Sequence, residues 1–144
     1  MSYESNLIEN DAALGEMLRN TRSIAVLGIK PESKANQPAF YVPKYMQSVG
    51  YQIIPVPVYY PDVEEILGER VYRSLGAIGQ PIDMVNVFRK PQDIDQHVED
   101  ILSVEPKSVW FQLGIRNDAA AKTLAKAGIQ VVQDRCLMVE HRHV

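Results

Sequence analysis

Five short apolar runs recur along the chain, separated by longer and partly polar segments. They are SIAVLG at 23–28, YQIIPV at 51–56, DMVNVF at 83–88, SVWFQLG at 108–114 and IQVVQD at 129–134. Runs this rich in Val and Ile, with little strict alternation of apolar and polar positions, are typical of strands covered on both faces. The pattern therefore predicts a parallel sheet of five strands.

Segments with helical spacing of apolar residues precede and separate these runs. Asn10 or Asp11 can cap a first helix that ends near residues 19–21. A second helix carries the apolar positions of 45–49. Its start is placed at Pro43, or the helix kinks there, because a proline biases the preceding residue away from helical backbone.

The second half of the chain predicts two more helices. Pro91 suits the first turn of a helix whose apolar positions fall within 94–102. The last helix lies between a cap at Asn117 or Asp118 and a stop at Gly128.

Alternating strands and helices with short joins predict an α/β fold. We expect a Rossmann-like, doubly wound and mainly parallel five-stranded sheet, with helices on both faces. Residues 1–144 are expected to form a single domain, with 1–22 as an N-terminal helix packing on it and 137–144 as a C-terminal tail. In such sheets ligands bind outside the carboxyl ends of the strands, near the point where the winding reverses. The segments at those ends are 28–36, 56–61, 88–90, 112–117 and 134–136.

Composition narrows the class of protein. The chain has 144 residues, 46% of them hydrophobic, which suits one compact domain with a full core. The net charge is -3 and the basic residues are scattered, which argues against a nucleic-acid partner. The single cysteine, Cys136, excludes an intramolecular disulfide framework. No apolar stretch approaches the roughly 20 residues of a membrane helix, and the N-terminal residues show no leader pattern, so a cytoplasmic protein is expected.

The segment that follows the first run has features of a phosphate-binding loop. Gly28 ends the run, and Lys30, Ser33 and Lys34 follow it. Lys30 and Ser33 stand where a dinucleotide fingerprint has further glycines, so an ordinary strand-to-helix turn stays an alternative. The second run is followed by no acid before Asp62, whereas NAD sites hold the ribose with one. A ligand that carries several phosphates, an adenine and a long uncharged arm would match this edge of the sheet better than NAD would.

Several segments, in order, resemble the small stand-alone CoA-binding proteins, which are related to the CoA-binding domains of succinyl-CoA synthetase and of NDP-forming acyl-CoA synthetases. They are SIAVLGIKPE, GYQIIPV, ILGERVYRSL, DMVNVFRKP, VWFQLGIRNDAAAKTLAKAGIQVV and DRCLMVEH. The resemblance implies a protein that binds coenzyme A or an acyl-CoA and catalyses nothing by itself, serving as a carrier, a sensor or a subunit. A homo-oligomer or a protein partner stays open. The alternatives are an NADP-type dinucleotide-binding protein and a protein-interaction module with a vestigial nucleotide site.

The same resemblance implies which residues contact the cofactor. Those expected to hold the phosphates are Gly28, Ile29, Lys30, Ser33 and Lys34. Those expected to border the adenine and line the pantetheine arm are Phe88, Arg89, Gln112, Leu113 and Gly114, with Pro57 after the second strand and Cys136 after the fifth. N–H groups at a helix start can bind phosphate without three glycines. A lysine or arginine can take the ribose phosphate that CoA carries and NAD lacks, with Arg89 the first candidate and Lys34 the second.

The chain departs from the family pattern at two places. The segment PVPVYYP at 55–61 replaces the usual Pro-Val-Asn-Pro, and Ala39 to Tyr41 stand where a hydroxyl and a basic residue are common. One phosphate contact is therefore expected to be missing. Tyr59 and Tyr60 are interpreted as a cover for the ligand or as a subunit contact.

The remaining reactive side chains have simpler interpretations. In the synthetase relatives a cysteine placed like Cys136 lies near the CoA thiol, which suggests a mixed disulfide, although a small buried apolar residue is the simpler reading. Its grouping with His141 and His143 as a metal site is not favoured. His97 is expected on the solvated side of its helix, and Asp83 at the sheet edge away from the ligand.

Overall fold

The computed structural model describes residues 2–144, which contain a central sheet of five parallel strands. The strands of this sheet are β1 (Ser23–Leu27), β2 (Gln52–Val56), β5 (Met84–Val87), β6 (Ser108–Phe111) and β7 (Gln130–Val132), and a separate hairpin consists of β3 (Glu65–Ile66) and β4 (Glu69–Arg70). The helices are α1 (Asp11–Arg19), α2 (Pro38–Ser48), α3 (Val98–Ser103), α4 (Asp118–Lys126) and α5 (Leu137–Arg142).

The sheet has the strand order β2-β1-β5-β6-β7, and every neighbouring pair is parallel. The chain winds from β1 to β2 in one direction and from β5 to β7 in the other. The winding therefore reverses between β1 and β5, and this is where a doubly wound sheet opens a crevice at its carboxyl edge.

Helices cover both faces of the sheet, as expected from the apolar strands. Side chains of α1, α2 and α5 pack with Val26 and Trp110 on one face, and side chains of α3 and α4 pack with Val85 and Phe111 on the other. Trp110 and Phe111 are adjacent in sequence, point to opposite faces and are both fully buried. The Rossmann-like α/β prediction is confirmed.

Two predicted helix caps are present. The Asn10 side chain accepts a hydrogen bond from the Ala13 N–H at 2.8 Å, and the Asn117 side chain accepts one from the Ala120 N–H at 3.0 Å. Each satisfies a donor that a helix N-terminus leaves free, which explains where α1 and α4 begin.

The second helix begins earlier than predicted. It starts at Pro38, which occupies the first helical position, and Pro43 lies inside it. The expected start at Pro43 is wrong because the helix tolerates the missing N–H there. The Ala39 carbonyl, which Pro43 leaves without its helical donor, accepts the Lys30 N–H at 3.1 Å instead.

The predicted helix from Pro91 is wrong in its first part. Two 3-10 turns, Pro91–Asp93 and Asp95–His97, precede α3. The Asn117 side-chain amide donates to the Pro91 carbonyl and to the Asp95 carboxylate, both at 3.1 Å, and so fixes these turns from outside the segment. A regular helix signal within the segment could not reveal that distant donor.

The predicted C-terminal tail is also wrong, because most of it forms α5. Leu137 is fully buried, and the His141 ring bonds the Tyr45 hydroxyl at 2.8 Å.

The N-terminal segment extends the sheet, since Leu7 forms a parallel bridge with Val131 of the edge strand β7. Within residues 2–144, no helix combines the length and apolar character that a membrane crossing needs.

Asp83 joins three strands at the amino edge of the sheet, the edge away from the crevice. Its carboxylate accepts the N–H groups of Arg22 (2.8 Å) and Ser23 (3.3 Å) and pairs with the Lys107 ammonium at 3.4 Å. Burial alone would raise the pKa of Asp83, but these backbone hydrogen bonds and Lys107 outweigh it, so the pKa lies below the ordinary 3.8.

We expect Asp83→Asn to lower the free energy of unfolding at pH 7 by about 1 to 2 kcal/mol, since charged hydrogen bonds are lost. A depressed folded-state pKa stabilises the fold above the unfolded pKa of about 4, and this contribution is lost as pH falls through the folded value. The gap between wild type and variant in urea denaturation should therefore close below pH 4. A gap that stays constant down to pH 2 would contradict this role.

Candidate ligand-binding site

The crevice between β1 and β5 is set by Gly28 and Phe88, the residues that follow these two strands. The Gly28 N–H donates to the Val56 carbonyl at 2.9 Å, and the Phe88 N–H donates to the Leu27 carbonyl at 2.8 Å. Gly28 has φ +89°, and a Cβ on it would lie 2.3 Å from the Phe88 carbonyl oxygen. Glycine is required here both for the backbone conformation and for the close approach of the two loops.

An open cleft of about 290 Å³ lies above this junction. Its lining residues are Gly28, Ile29, Lys30, Val58, Tyr59, Tyr60, Phe88, Arg89, Lys90 and Asp93. Three of them are cations, against the single carboxylate of Asp93. The cleft therefore has the charge and the position expected of a site for an anionic ligand.

Arg89 is held in place from three sides. Its side chain is only 10% exposed, its Nε donates to Nε2 of His97 at 3.1 Å, and it lies 3.9 Å from the Asp93 carboxylate. Its guanidinium also sits 5.7 Å from the ring centroid of Tyr59. An arginine fixed in this way presents its donors in one orientation, which favours recognition of a phosphate.

His97 lies outside the cleft lining but contacts Arg89 and is half-buried, so its predicted place on a solvated helix face is wrong. The 3-10 turn that contains it directs the ring toward Arg89, whereas the prediction assumed a regular helix. Burial, and then the neighbouring Arg89 charge, lower the pKa of His97 below 6.5. A lowered pKa favours the neutral ring, and a neutral ring can accept the Arg89 hydrogen bond.

Arg73 shapes the loop that carries the two cleft tyrosines. Its guanidinium donates to the carbonyls of Tyr59 (3.1 Å), Tyr60 (2.9 Å), Pro61 (3.3 Å) and Val63 (2.7 Å). Tyr60 takes a φ of 63°, uncommon for a residue with a side chain, and the Tyr59 side chain is largely exposed beside the cleft. One side chain thus holds the loop at 59–63 that borders the cleft.

We expect Arg73→Ala to release this loop while leaving global stability within about 1 kcal/mol, because the guanidinium is exposed. Amide hydrogen exchange at Val63, whose N–H bonds the Tyr60 carbonyl at 3.1 Å, should become faster. Arg70→Ala is the matched control, because Arg70 stacks on Tyr72 at 5.2 Å instead. Equal exchange at Val63 in both variants would argue against Arg73 as the tether.

The predicted phosphate residues divide into two groups. Gly28, Ile29 and Lys30 line the cleft, and the Lys30 ammonium bonds the Gln37 side chain just before α2. Ser33 and Lys34 lie in a 3-10 turn outside the cleft lining. Their roles as phosphate contacts stay predictions.

The hairpin packs outside the cleft lining, where it contacts the turn after β1 and the helix α2. The Glu32 carboxylate accepts the N–H of Leu67, in the hairpin turn, at 2.9 Å, and the Gln47 amide donates to the Leu67 carbonyl at 2.9 Å. Pro57 is buried and is absent from the cleft lining, although Val58, which follows it, is present.

The remaining predicted contacts lie beyond β5, at the ends of β6 and β7. Gln112 is buried, and its side-chain oxygen accepts the Leu137 N–H at 3.3 Å. The Gly114 N–H donates to the Asp134 carboxylate at 2.7 Å, whereas the Leu113 side chain is 64% exposed. Cys136 is half-buried directly before α5. These residues are separate from the cleft, so only an extended ligand could reach both groups.

Metal ligands do not gather around this edge. Across residues 2–144, no group of three or more His, Cys, Asp or Glu side chains is arranged to hold a metal ion.

Comparison with known proteins decides the family. A model of the CoA binding domain matches residues 22–142. The chain belongs to the CoA-binding domain family. A Bacillus subtilis (strain 168) protein, YneT, is 35% identical over 130 residues, which cover 90% of this chain and 93% of that protein.

Solved structures support the same assignment. A Thermus thermophilus protein, cell-free ID.343, has a TM-score of 0.85 and 40% identity, covering 94% of this chain and 98% of its own. A hypothetical protein from Pyrococcus horikoshii OT3 has a TM-score of 0.84 and 34% identity, covering 94% of this chain and 92% of its own. The predicted family is confirmed.

Sequence reasoning placed five of the ten cleft residues in the site: Gly28, Ile29, Lys30, Phe88 and Arg89. Lys90 falls within the segment 88–90 that follows the third run but is not among the predicted contacts, and the two tyrosines were left between a ligand cover and a subunit contact. Val58 and Asp93 carried no signal beyond their position after a strand.

Proposed function

We propose that the chain binds coenzyme A or an acyl-CoA along the carboxyl edge of the sheet. The observation that carries the proposal is the cationic cleft at the switch point, in a chain of the CoA-binding domain family. Lys30, Arg89 and Lys90 would receive the phosphate groups, since a cation close to a phosphate gives a charge-assisted hydrogen bond. Arg89 would provide the most specific contact, because its orientation is fixed.

The spacing of the strands suits an extended ligand. Neighbouring strands lie about 4.8 Å apart, so β1 and β7 are separated by roughly 14 Å along the edge. A ligand with its phosphates at the cleft would pass the exposed Leu113 on its way to Cys136. The uncharged pantetheine arm would suit contact with this apolar side chain.

We further propose that the chain catalyses no reaction by itself. His97, which lies beside the cleft, is hydrogen-bonded to Arg89, and His141 is hydrogen-bonded to Tyr45. Both rings therefore have structural partners. A carrier, a sensor or a subunit of a larger assembly is the role we favour.

A thermal-shift panel with CoA, NADP and ADP tests the ligand class. A ligand present at 100 times its Kd stabilises the folded state by about 2.7 kcal/mol, which shifts the Tm by several degrees. CoA is expected to give the largest shift. A larger shift with NADP would support the dinucleotide alternative, and no shift with any of the three would support an interaction module.

A further inference from the structure

The proline inside α2 has a consequence for the candidate site. Pro43 has no N–H, so the Ala39 carbonyl loses the donor that it would have in a regular helix. Both residues are buried. A buried carbonyl without a donor is costly, and here the Lys30 N–H supplies one at 3.1 Å.

The position of Pro43 favours this substitute bond in two ways. Because residue 43 has no N–H, no helical donor competes with the Lys30 N–H for the Ala39 oxygen. A proline ring also crowds the carbonyl four residues before it. In general such crowding tilts a carbonyl away from the helix axis, and here a donor from outside the helix, the Lys30 N–H, reaches the Ala39 oxygen.

The donor belongs to the cleft. Lys30 follows Gly28 by two residues, and Gly28 is held by the hydrogen bond from its N–H to the Val56 carbonyl at 2.9 Å. The Lys30 ammonium bonds Gln37, so the loop is attached to the start of α2 by both its backbone and its side chain.

We infer that Pro43 is a positioning residue for the site: it frees the Ala39 carbonyl to hold the Lys30 N–H and so fixes the loop beneath the ligand. Pro43 itself is absent from the cleft lining and acts through Lys30. The effect on affinity rests on the proposed binding of CoA. The hydrogen bond from the Lys30 N–H to the Ala39 carbonyl, which we call the tether, does not depend on that proposal.

Pro43→Ala tests the inference, because alanine returns the N–H to the helix. Without ligand, amide exchange at Lys30 should become about two- to tenfold faster, as expected when one backbone hydrogen bond is lost. The Kd for coenzyme A should rise by about two- to tenfold for the same reason. Alanine is the best helix former, so α2 should be retained with undiminished helicity by circular dichroism.

Pro38→Ala is the matched control. It makes the same chemical change in the same helix, at a first position whose N–H has no helical partner anyway. Exchange at Lys30 and the Kd for coenzyme A should both stay at the wild-type values. A merely structural role for Pro43 would instead make helicity and affinity fall together, with no selective change at Lys30.

Unchanged Lys30 exchange in a folded Pro43→Ala variant would overturn the inference. If that variant does not fold, the wild-type protein still provides a test, through the NMR scalar coupling across the hydrogen bond from the Lys30 nitrogen to the Ala39 carbonyl carbon. Absence of that coupling would also overturn it. Failure of wild-type protein to bind coenzyme A would contradict the proposed function while leaving the tether intact.

Discussion

Replacing Gly28 with alanine is expected to lower the free energy of unfolding by about 2 to 5 kcal/mol. About 1 to 2 kcal/mol comes from placing a side chain in the left-handed region, and about 1 to 3 kcal/mol from overpacking. The added Cβ would lie 2.3 Å from the Phe88 carbonyl oxygen, and backbone cannot move aside as a flexible side chain can. Urea denaturation of the purified variant measures the loss.

Gly128→Ala separates the two contributions. Gly128 has the same φ of +89°, but a Cβ there would meet nothing within 4 Å. This variant should lose only the conformational part, about 1 to 2 kcal/mol. Equal losses in the two variants would mean that the contact between the loops after β1 and β5 contributes nothing.

Arg89→Ala is expected to raise the Kd for CoA by about 10- to 100-fold. Hydrogen bonds to charged groups contribute about 1.5 to 3 kcal/mol, and Arg89 is the oriented cation of the cleft. The effect should be much smaller with dephospho-CoA, because that ligand lacks the ribose phosphate that we expect Arg89 to bind. Isothermal titration calorimetry with both ligands measures the difference.

Arg89→Lys is the informative companion variant. Lysine retains the positive charge but lacks the planar fork that donates to His97 and to a phosphate together. We expect an intermediate Kd. A wild-type Kd for CoA in Arg89→Ala would show that Arg89 does not contact the ligand. An equal rise in the Kd for CoA and for dephospho-CoA would show that Arg89 does not bind the ribose phosphate.

Features that depend on local sequence were predictable. The caps at Asn10 and Asn117 need only a side chain and an N–H three residues later, so their sequence context is sufficient. The five strands followed from apolar runs that must be buried on both faces, as Trp110 and Phe111 are. The order of the strands, which places Gly28 and Phe88 at the switch point, came only from the structure.

Features that depend on distant partners were not predictable. His97 faces Arg89 because the Asn117 side chain holds the preceding turns, a contact across more than twenty residues of chain. The four bonds of Arg73 and the substitute donor for Ala39 likewise arise only after folding. No periodicity in the sequence reports such contacts, because each depends on where a remote backbone segment lies.

Calorimetric titration of the purified wild-type protein with coenzyme A is the direct test of whether this chain binds the cofactor. We expect saturable binding of one CoA per chain, with dephospho-CoA binding more weakly. Absence of both heat and thermal stabilisation at millimolar CoA would contradict it, since a Kd above about 1 mM corresponds to less than about 4.1 kcal/mol of binding.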